Sequence, residues 1–511
     1  MRSHFALSAL VLALSTSPVL ATAPTHGAAV AWLPAAGDAD IDKAFAQARG
    51  NSKPVLLYWG AKWCPPCNQL KAQLFNRQDF IERSRSFVAV SIDGDLPGAQ
   101  KLGARFKVRG YPTLILFNAA GQELTRLPGE ADAAQIMQGL QQGMAGGRPV
   151  KDVLADAQAG KKLSDSEWRL LAFYSWDTDE SALVPEAERA TLLATLAAKA
   201  TDEDAATRLW LKTLAISDDS KGVKADSALR ERVQGVLKNP AVARRHMDVL
   251  TNFARDITKA LDFPNDASRV QFLASFDTAL LKLEQDVTLS RADRLTALQS
   301  RVDLALMDEN AKVPEALIKD AQSTVARMDQ EITDGYERQA VITSGARLLF
   351  DVGLKDESDA LLNANLAKSH SPYYLMSSLA SNAKKRGDKT AALNWYEQAY
   401  NKSVGPATRL QWGASYLGAL VELTPQDSAR IEKAASLVIS DAAAQSNAFY
   451  ERSARSMQRV GQQLNNWNAK GEHAEPMRRL QSQLSNVCGK LDAADSQRAT
   501  CNSLLKPASS S

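Results

Sequence analysis

The first quarter of the chain alternates between short apolar runs of strand length and stripes of helical period. Pro54-Val55-Leu56-Leu57-Tyr58-Trp59 and Phe87 to Ile92 are continuous apolar runs, the pattern of strands buried on both faces. Thr113 to Phe117 and Glu123 to Leu127, joined by the turn Asn118 to Gly121, predict a hairpin. Between these runs the period changes. Asp40 is placed to cap a helix carrying Ile41, Ala44, Phe45 and Ala48; Leu70 and Leu74 share another; and Asn76 restarts a helical turn with Phe80 and Ile81. Gly98 to Phe106 predicts a crossover helix, and Asp132 to Met144 a closing helix packed by Ile136, Met137 and Leu140. The order β-α-β-α-β-β-α predicts one compact α/β domain with a central mixed sheet and flanking helices.

From about residue 147 onward strand patterns nearly vanish. Trp168, Leu171 and Ala172 form one stripe; Thr201 to Ile216 opens on Thr201-Asp202-Glu203-Asp204, a capping-box-like signal with Asp in place of Glu, and carries Leu209, Trp210, Leu214 and Ala215. Ser290 to Leu306 repeats the formula with Leu295, Leu298, Val302 and Leu306. Charges of both signs alternate on the outer faces, and Arg244-Arg245 reads as an ordinary exposed pair. The prediction is an α/β domain over 24–146 and a large all-α region over 147–511, built from stacked helical hairpins.

The chemistry lies in Trp63-Cys64-Pro65-Pro66-Cys67, directly behind the first apolar run. With Cys64 as N-cap, Pro65 and Pro66 occupy the first two helical positions, where a missing N–H costs little. The free N–H of Cys67 then points back at the Cys64 sulfur, and with the helix end favours thiolate over thiol. Cys64 is the expected nucleophile and Cys67 the resolving thiol. A structural disulfide and half a zinc site are the alternatives. Zinc needs four ligands, and the remaining cysteines, Cys488 and Cys501, lie far away, while the five histidines form no cluster; no metal is expected.

Cys-Pro-Pro-Cys followed by Val108-Arg109-Gly110-Tyr111-Pro112-Thr113, then Gly129 before the last helix, resembles the thioredoxin fold, and more narrowly periplasmic thiol–disulfide oxidoreductases with this motif. The resemblance implies that Pro112 is cis beside the cysteines, and that Trp63, Tyr111 and Pro112 contact substrate, the Tyr111 backbone pairing with a substrate polypeptide. Two positions depart from the family. Tyr58 stands where many relatives bury an acid that deprotonates the resolving thiol, with Ala89 at the position of its lysine partner. Lys71 stands where reductase relatives carry Glu. The proton acceptor for Cys67 is thus unidentified, and Lys62 and Lys71 read as solvated. Later in the chain Leu379, Ala380 and Ala383, then Gly387-Asp388, Ala392, Tyr396 and Ala399 resemble a tetratricopeptide repeat, with Gly353 one 34-residue period earlier. Trp395, Tyr396, Trp412 and Tyr416 are expected to be core.

The basic start Met1 to His4, the apolar stretch Phe5 to Leu14 and Ala21-Thr22-Ala23 predict a signal peptide over 1–23 and a periplasmic destination, with no membrane span after its removal. Cys488 and Cys501 are then expected to form a structural disulfide worth about 3 kcal/mol in the chain-entropy model, a second exchanging dithiol being the alternative. The formal charge of +3, about +2 without Arg2, and the lack of a basic stripe argue against nucleic acid. No cofactor motif is present. The expected function is an exported oxidoreductase reducing disulfides in client proteins, its helical region recruiting clients or a membrane thiol–disulfide electron donor. An oxidase or isomerase, or a helical scaffold with a vestigial redox domain, are the alternatives.

Overall fold

The computed structural model describes residues 29–145, 147–179, 183–217, 223 and 225–505; the signal peptide expected over 1–23 lies outside them. Its first part is a five-stranded sheet of order β1-β3-β2-β4-β5: Leu33–Pro34 (β1), Val55–Gly60 (β2), Val88–Asp93 (β3), Thr113–Phe117 (β4) and Glu123–Leu127 (β5). β3 runs parallel to β1 and β2, whereas β4 is antiparallel to β2 and to β5. Every residue of β2 is buried, as its apolar run requires of a central strand covered on both faces. Helices Asp38–Asn51 (α1), Pro65–Leu70 (α2), Gln78–Ser84 (α3), Ala99–Phe106 (α4) and Ala133–Met144 (α5) supply the two layers. One apolar cluster packs α1 and α4 on one face of the sheet, and another packs the continuation of α2 with α3 and α5 on the other.

The sequence reading departs from this in three local ways. β1 is only two residues long, so it carries no period to recognise. Gly37, not Asp40, is the N-cap of α1; Asp40 is three residues inside and accepts the amides of Ala36 and Gly37 at 2.9 and 3.2 Å. After α2 the chain widens into a π turn over Lys71–Phe75, which seats Phe75 edge-on against Tyr58, ring centroids 4.9 Å apart.

From Val150 to Ser503 the described regular elements are all helical, and none is long and apolar enough to cross a membrane. Asp202, not Thr201, caps helix Glu203–Ile216, accepting the Ala205 amide at 2.8 Å, one residue later than the capping-box signal placed it, while Ser290 caps Arg291–Ala305. Gly335–Asp351 packs on Lys355–Asn365, and Pro372–Lys385 on Lys389–Lys402. The turns between these partners pass through Gly353 and Gly387, both at positive φ, where a side chain would be strained. Trp412 and Tyr416 are buried; Trp395 and Tyr396 are half-buried against the same cores. Cys488 is joined to Cys501 in a disulfide inside the last of these cores.

The helices do not trail away from the sheet domain. They return to it, and the contacts are polar and buried. Gln135 of α5 donates to Asp248 Oδ1 at 3.0 Å and to the Arg245 carbonyl at 2.8 Å. Asp248 is held by both arms of Arg208 at 2.9 and 2.6 Å, both side chains sealed from solvent. Burial alone would push the Asp248 carboxyl up, but the adjoining Arg208 guanidinium holds it well below the usual range. Lys212, also buried, reaches Glu130 and Asp177 at 3.1 and 2.5 Å. Arg244 is a correction to the sequence reading: it is half-buried and clamped between Asp132 and Asp286, joining the α5 cap to the helices.

Asp248→Asn should lower stability by about 3–5 kcal/mol, because it leaves Arg208 charged and unpaired in the interior. Its folded-state carboxyl is depressed, so this stabilisation is present above the unfolded carboxylate pKa of about 4 and is lost as pH falls through the lower folded value. Denaturation curves of both proteins at neutral pH, and of the parent through the acid range, test both statements.

Candidate active site

β2 ends at Gly60 and delivers the chain to a tight entry into α2. An added Cβ at Gly60 would lie 2.3 Å from the Tyr58 hydroxyl, so only glycine lets that ring fold back beneath the strand end. Cys64 is the N-cap with extended backbone (φ −68°, ψ 114°), and Pro65 and Pro66 follow as the first helical residues. The Cys67 amide donates to Cys64 Sγ at 3.2 Å. The two sulfurs are joined in a disulfide, so the described state is the oxidised one. Asn68, fully buried and missed by the sequence reading, donates to the carbonyls of Lys62 and Cys64, both at 2.8 Å, and fixes the loop entering the helix.

The Tyr111–Pro112 peptide is cis and lies on the strand-entry loop before β4. Its neighbour across the domain is Gly129, where an added Cβ would stand 2.7 Å from the Pro112 carbonyl oxygen; that close approach is what the glycine permits. The Tyr111 hydroxyl accepts from Gln100 at 3.1 Å, and its ring joins Trp63 and Ala61 around the two cysteines.

Helices from far along the chain cover this face. The Trp63 ring stacks on Tyr374 (centroids 5.7 Å apart, planes at 17°) and packs into the core of the C-terminal helices. Arg452 lies over the Trp63 ring at 4.6 Å and 5.8 Å from the Tyr111 ring. Gln339 donates to the Trp63 carbonyl at 3.3 Å, and His370 to the Lys62 carbonyl at 2.9 Å. Arg455 donates to the Arg109 carbonyl at 2.9 Å, on the loop that leads to Tyr111. Asp95, just past β3, gathers several of these elements: it accepts from the Trp63 indole at 3.2 Å, from the Thr408 amide and hydroxyl at 2.8 and 2.7 Å, and from Arg452 at 3.4 Å. Cys64 is consequently only 2% exposed and Cys67 is sealed. Trp63, Cys64, Cys67 and Tyr111 cluster together, and Pro112 is joined to Tyr111 through the cis peptide; Cys488 and Cys501 lie in the helical core against which Trp63 packs.

On the other flank of α2 a cavity of about 340 Å³ is lined by Tyr58, Lys71, Asp93 and Tyr336. Lys71 is another correction: rather than solvated, it is half-buried, 5.3 Å from the centre of the Tyr336 ring, and burial pulls its ammonium below the usual lysine range. Desolvation pushes the Asp93 carboxyl up, and burial pushes up the Tyr58 hydroxyl, which has no hydrogen-bond partner among the described residues. Lys62 is exposed.

Residues 41–143 match the family model described as a thioredoxin-like domain. The part of the chain that holds the dithiol is therefore a thioredoxin-like domain. It is 32% identical over 118 residues to the thiol:disulfide interchange protein DsbD 2 of Pseudomonas aeruginosa, covering 22% of this chain and 20% of that protein. It is 35% identical over 100 residues to the thiol:disulfide interchange protein DsbD of Klebsiella pneumoniae, covering 19% of this chain and 16% of that one. The chain thus spans about a fifth of the length of these relatives. Among solved structures, a thioredoxin from Thermus thermophilus aligns with 26% identity over 22% of this chain and 87% of that one, at a TM-score of 0.20.

A dithiol at a helix N-terminus, packed against the tyrosine of a cis Tyr–Pro peptide and with an amide on the outer sulfur, is equipped for thiol–disulfide exchange. Burial of Cys64 opposes its ionisation, but the Cys67 N–H and the helix end oppose that penalty. In the reduced protein Cys64 should titrate below the ~8.5 of a free thiol; the ultraviolet absorbance of the thiolate followed against pH measures this. Asp95→Ala should loosen the helical cover and speed alkylation of reduced Cys64 by a bulky maleimide about tenfold, the worth of one charge-assisted hydrogen bond. An unchanged rate would show that Asp95 does not hold the cover.

Proposed function

We propose that this protein is an exported thiol–disulfide oxidoreductase that runs as a reductase. The observation that carries the reading is the Cys67 amide lying 3.2 Å from Cys64 Sγ, next to the cis peptide before Pro112, in a domain similar to the thiol:disulfide interchange proteins. Cys64 thiolate attacks one sulfur of a substrate disulfide; that S–S bond breaks, a mixed disulfide forms on Cys64, and the first substrate thiolate leaves with the bonding electrons. Cys67, losing its proton, attacks Cys64 Sγ and expels the second thiolate, leaving Cys64–Cys67 oxidised by two electrons. A partner dithiol then reduces the pair again, and a membrane thiol–disulfide donor is the partner proposed. Protein disulfides are among the proposed substrates.

Trp63, Tyr111 and Pro112 are assigned to substrate contact, and Cys488–Cys501 to stabilising the last helices. The signal-like N-terminus supports export to the periplasm. The helical region is proposed to govern which disulfides reach Cys64, since Tyr374, Gln339 and Arg452 already touch Trp63, which leaves client recruitment as one role for its outer faces and for the repeat-like hairpins near Gly387.

Cys67→Ser should accumulate a mixed disulfide through Cys64 when the reduced protein meets a disulfide substrate, and Cys64→Ser should not. Mass spectrometry of the adducts distinguishes these outcomes, and an absence of adduct in Cys67→Ser would end the catalytic reading. A reductase should equilibrate nearer the about −270 mV of thioredoxin than the about −120 mV of the strong oxidants. Thiol–disulfide equilibration against a glutathione or dithiothreitol series measures it.

A further inference from the structure

Beside the dithiol lies a cavity of about 440 Å³. Trp63, Cys64 and the prolines of α2 line it together with the loop before β4; Tyr374 and the helix Glu451–Trp467 line it from the helical region. Its volume falls in the ~300–1,000 Å³ range of small-molecule sites. The charged side chains lining it are Arg109, Arg452, Arg455, Arg459 and Glu451, a marked excess of positive charge. Three of those arginines are matched: Arg109 pairs with Glu186, Arg452 with Asp95, and Arg455 with Glu451. Arg459 is different. It donates to Ser456 Oγ at 3.4 Å, and among the described residues no carboxylate lies within ion-pair distance of it. Desolvation pulls its guanidinium below the usual range, and the neighbouring charges of Arg452 and Arg455 pull the same way. Arg459 itself is exposed, and an unmatched cation lining a cavity beside two like charges favours an anion that joins it there.

We infer that this cavity binds small disulfides and thiols bearing a carboxylate or similar anionic group, the anion pairing with Arg459 while the sulfur meets Cys64. The inference rests on the oxidoreductase reading and names a substrate class for it. With Cys64 only 2% exposed beneath Tyr374 and Arg452, a folded protein's disulfide reaches the sulfur only if the cover moves, whereas a small molecule is of a size to enter the cavity. For such a substrate RSSR, the Cys64 thiolate takes one sulfur and releases RS⁻; Cys67 gives its proton to released thiolate or water, attacks Cys64 and releases the second RS⁻. Two thiols and one protein disulfide result, with an external dithiol required only to begin the next cycle.

The test is a single turnover of pre-reduced full-length protein with three probes: dithiodiglycolate (dianionic), bis(2-hydroxyethyl) disulfide (neutral) and cystamine (dicationic), each normalised to its rate with dithiothreitol. The dianion should exceed the neutral probe by about tenfold after normalisation, the effect of one charge-assisted contact, and cystamine should be slowest. Arg459→Gln should bring the normalised ratio to near one, whereas Arg459→Lys should retain most of it; because the readout is a ratio, a general change in Cys64 acidity cancels. A normalised ratio near one in the parent protein, or a preference unchanged in Arg459→Gln, overturns the anion site while leaving the oxidoreductase reading in place. Failure of all three probes to oxidise a reduced protein whose Cys64 still reacts with iodoacetamide overturns both.

Discussion

The carboxylate of Asp95 is the constraint on which the site's architecture rests. It sits just past the end of β3, and its oxygens receive the Trp63 indole, the Thr408 amide and hydroxyl, and Arg452. Those donors come from the redox loop and from two helices more than 300 positions along the chain. A hydrogen bond to an ionised, largely buried acceptor contributes about 1.5–3 kcal/mol, and each loss would leave the remaining donors facing an unmatched site. Trp63 is thereby fixed between Arg452 and Tyr374, and with it the roof over Cys64. The dithiol's limited access goes with this acceptor and its donors, together with the contacts of Tyr374, Gln339 and His370 on the same loop.

That roof sets two requirements against each other. A nucleophilic sulfur gains from being deprotonated, and burial resists ionisation. The local helix entry meets the first requirement with the Cys67 amide and the aligned peptides of α2, and the helical region adds the field of Arg452, Arg455 and Arg459 around the same cavity. The same helices that withdraw water therefore bring positive charge to stabilise what water would have stabilised. The cover thus adds positive charge to the site and narrows what can enter.

The union of the sheet domain with the helices is made largely of polar groups rather than of a shared oily surface. Asp248 with Arg208 and Gln135, and Lys212 with Glu130 and Asp177, are matched sets of opposite charge in the interior. Replacing such a pair wholesale by apolar residues is often neutral, whereas losing one partner is severe. What they provide is directional registry: a misplaced helix leaves a buried charge alone, and that alone excludes many alternative docking arrangements.

Much of this was legible in the chain itself. The continuous run before Cys64 reads as a buried strand, and two prolines behind a cysteine fit the first positions of a helix. The hairpin from Thr113 to Leu127 and the helices that begin near Thr201 and at Ser290 follow from local period and capping, which act over a few residues and leave their mark there. Three readings failed for a common reason. The sequence reading took Lys71 and Arg244 as exposed and missed Asn68 altogether, because long polar side chains look alike in sequence whether they meet water, a ring or a distant carboxylate. The local chain determined the sheet, the helices and the dithiol's place at a helix N-terminus. Only the tertiary structure decided that Tyr374, Gln339, Thr408 and the arginines of one late helix close over that dithiol, because pairing across hundreds of residues depends on how the helices return and not on the period within any one of them.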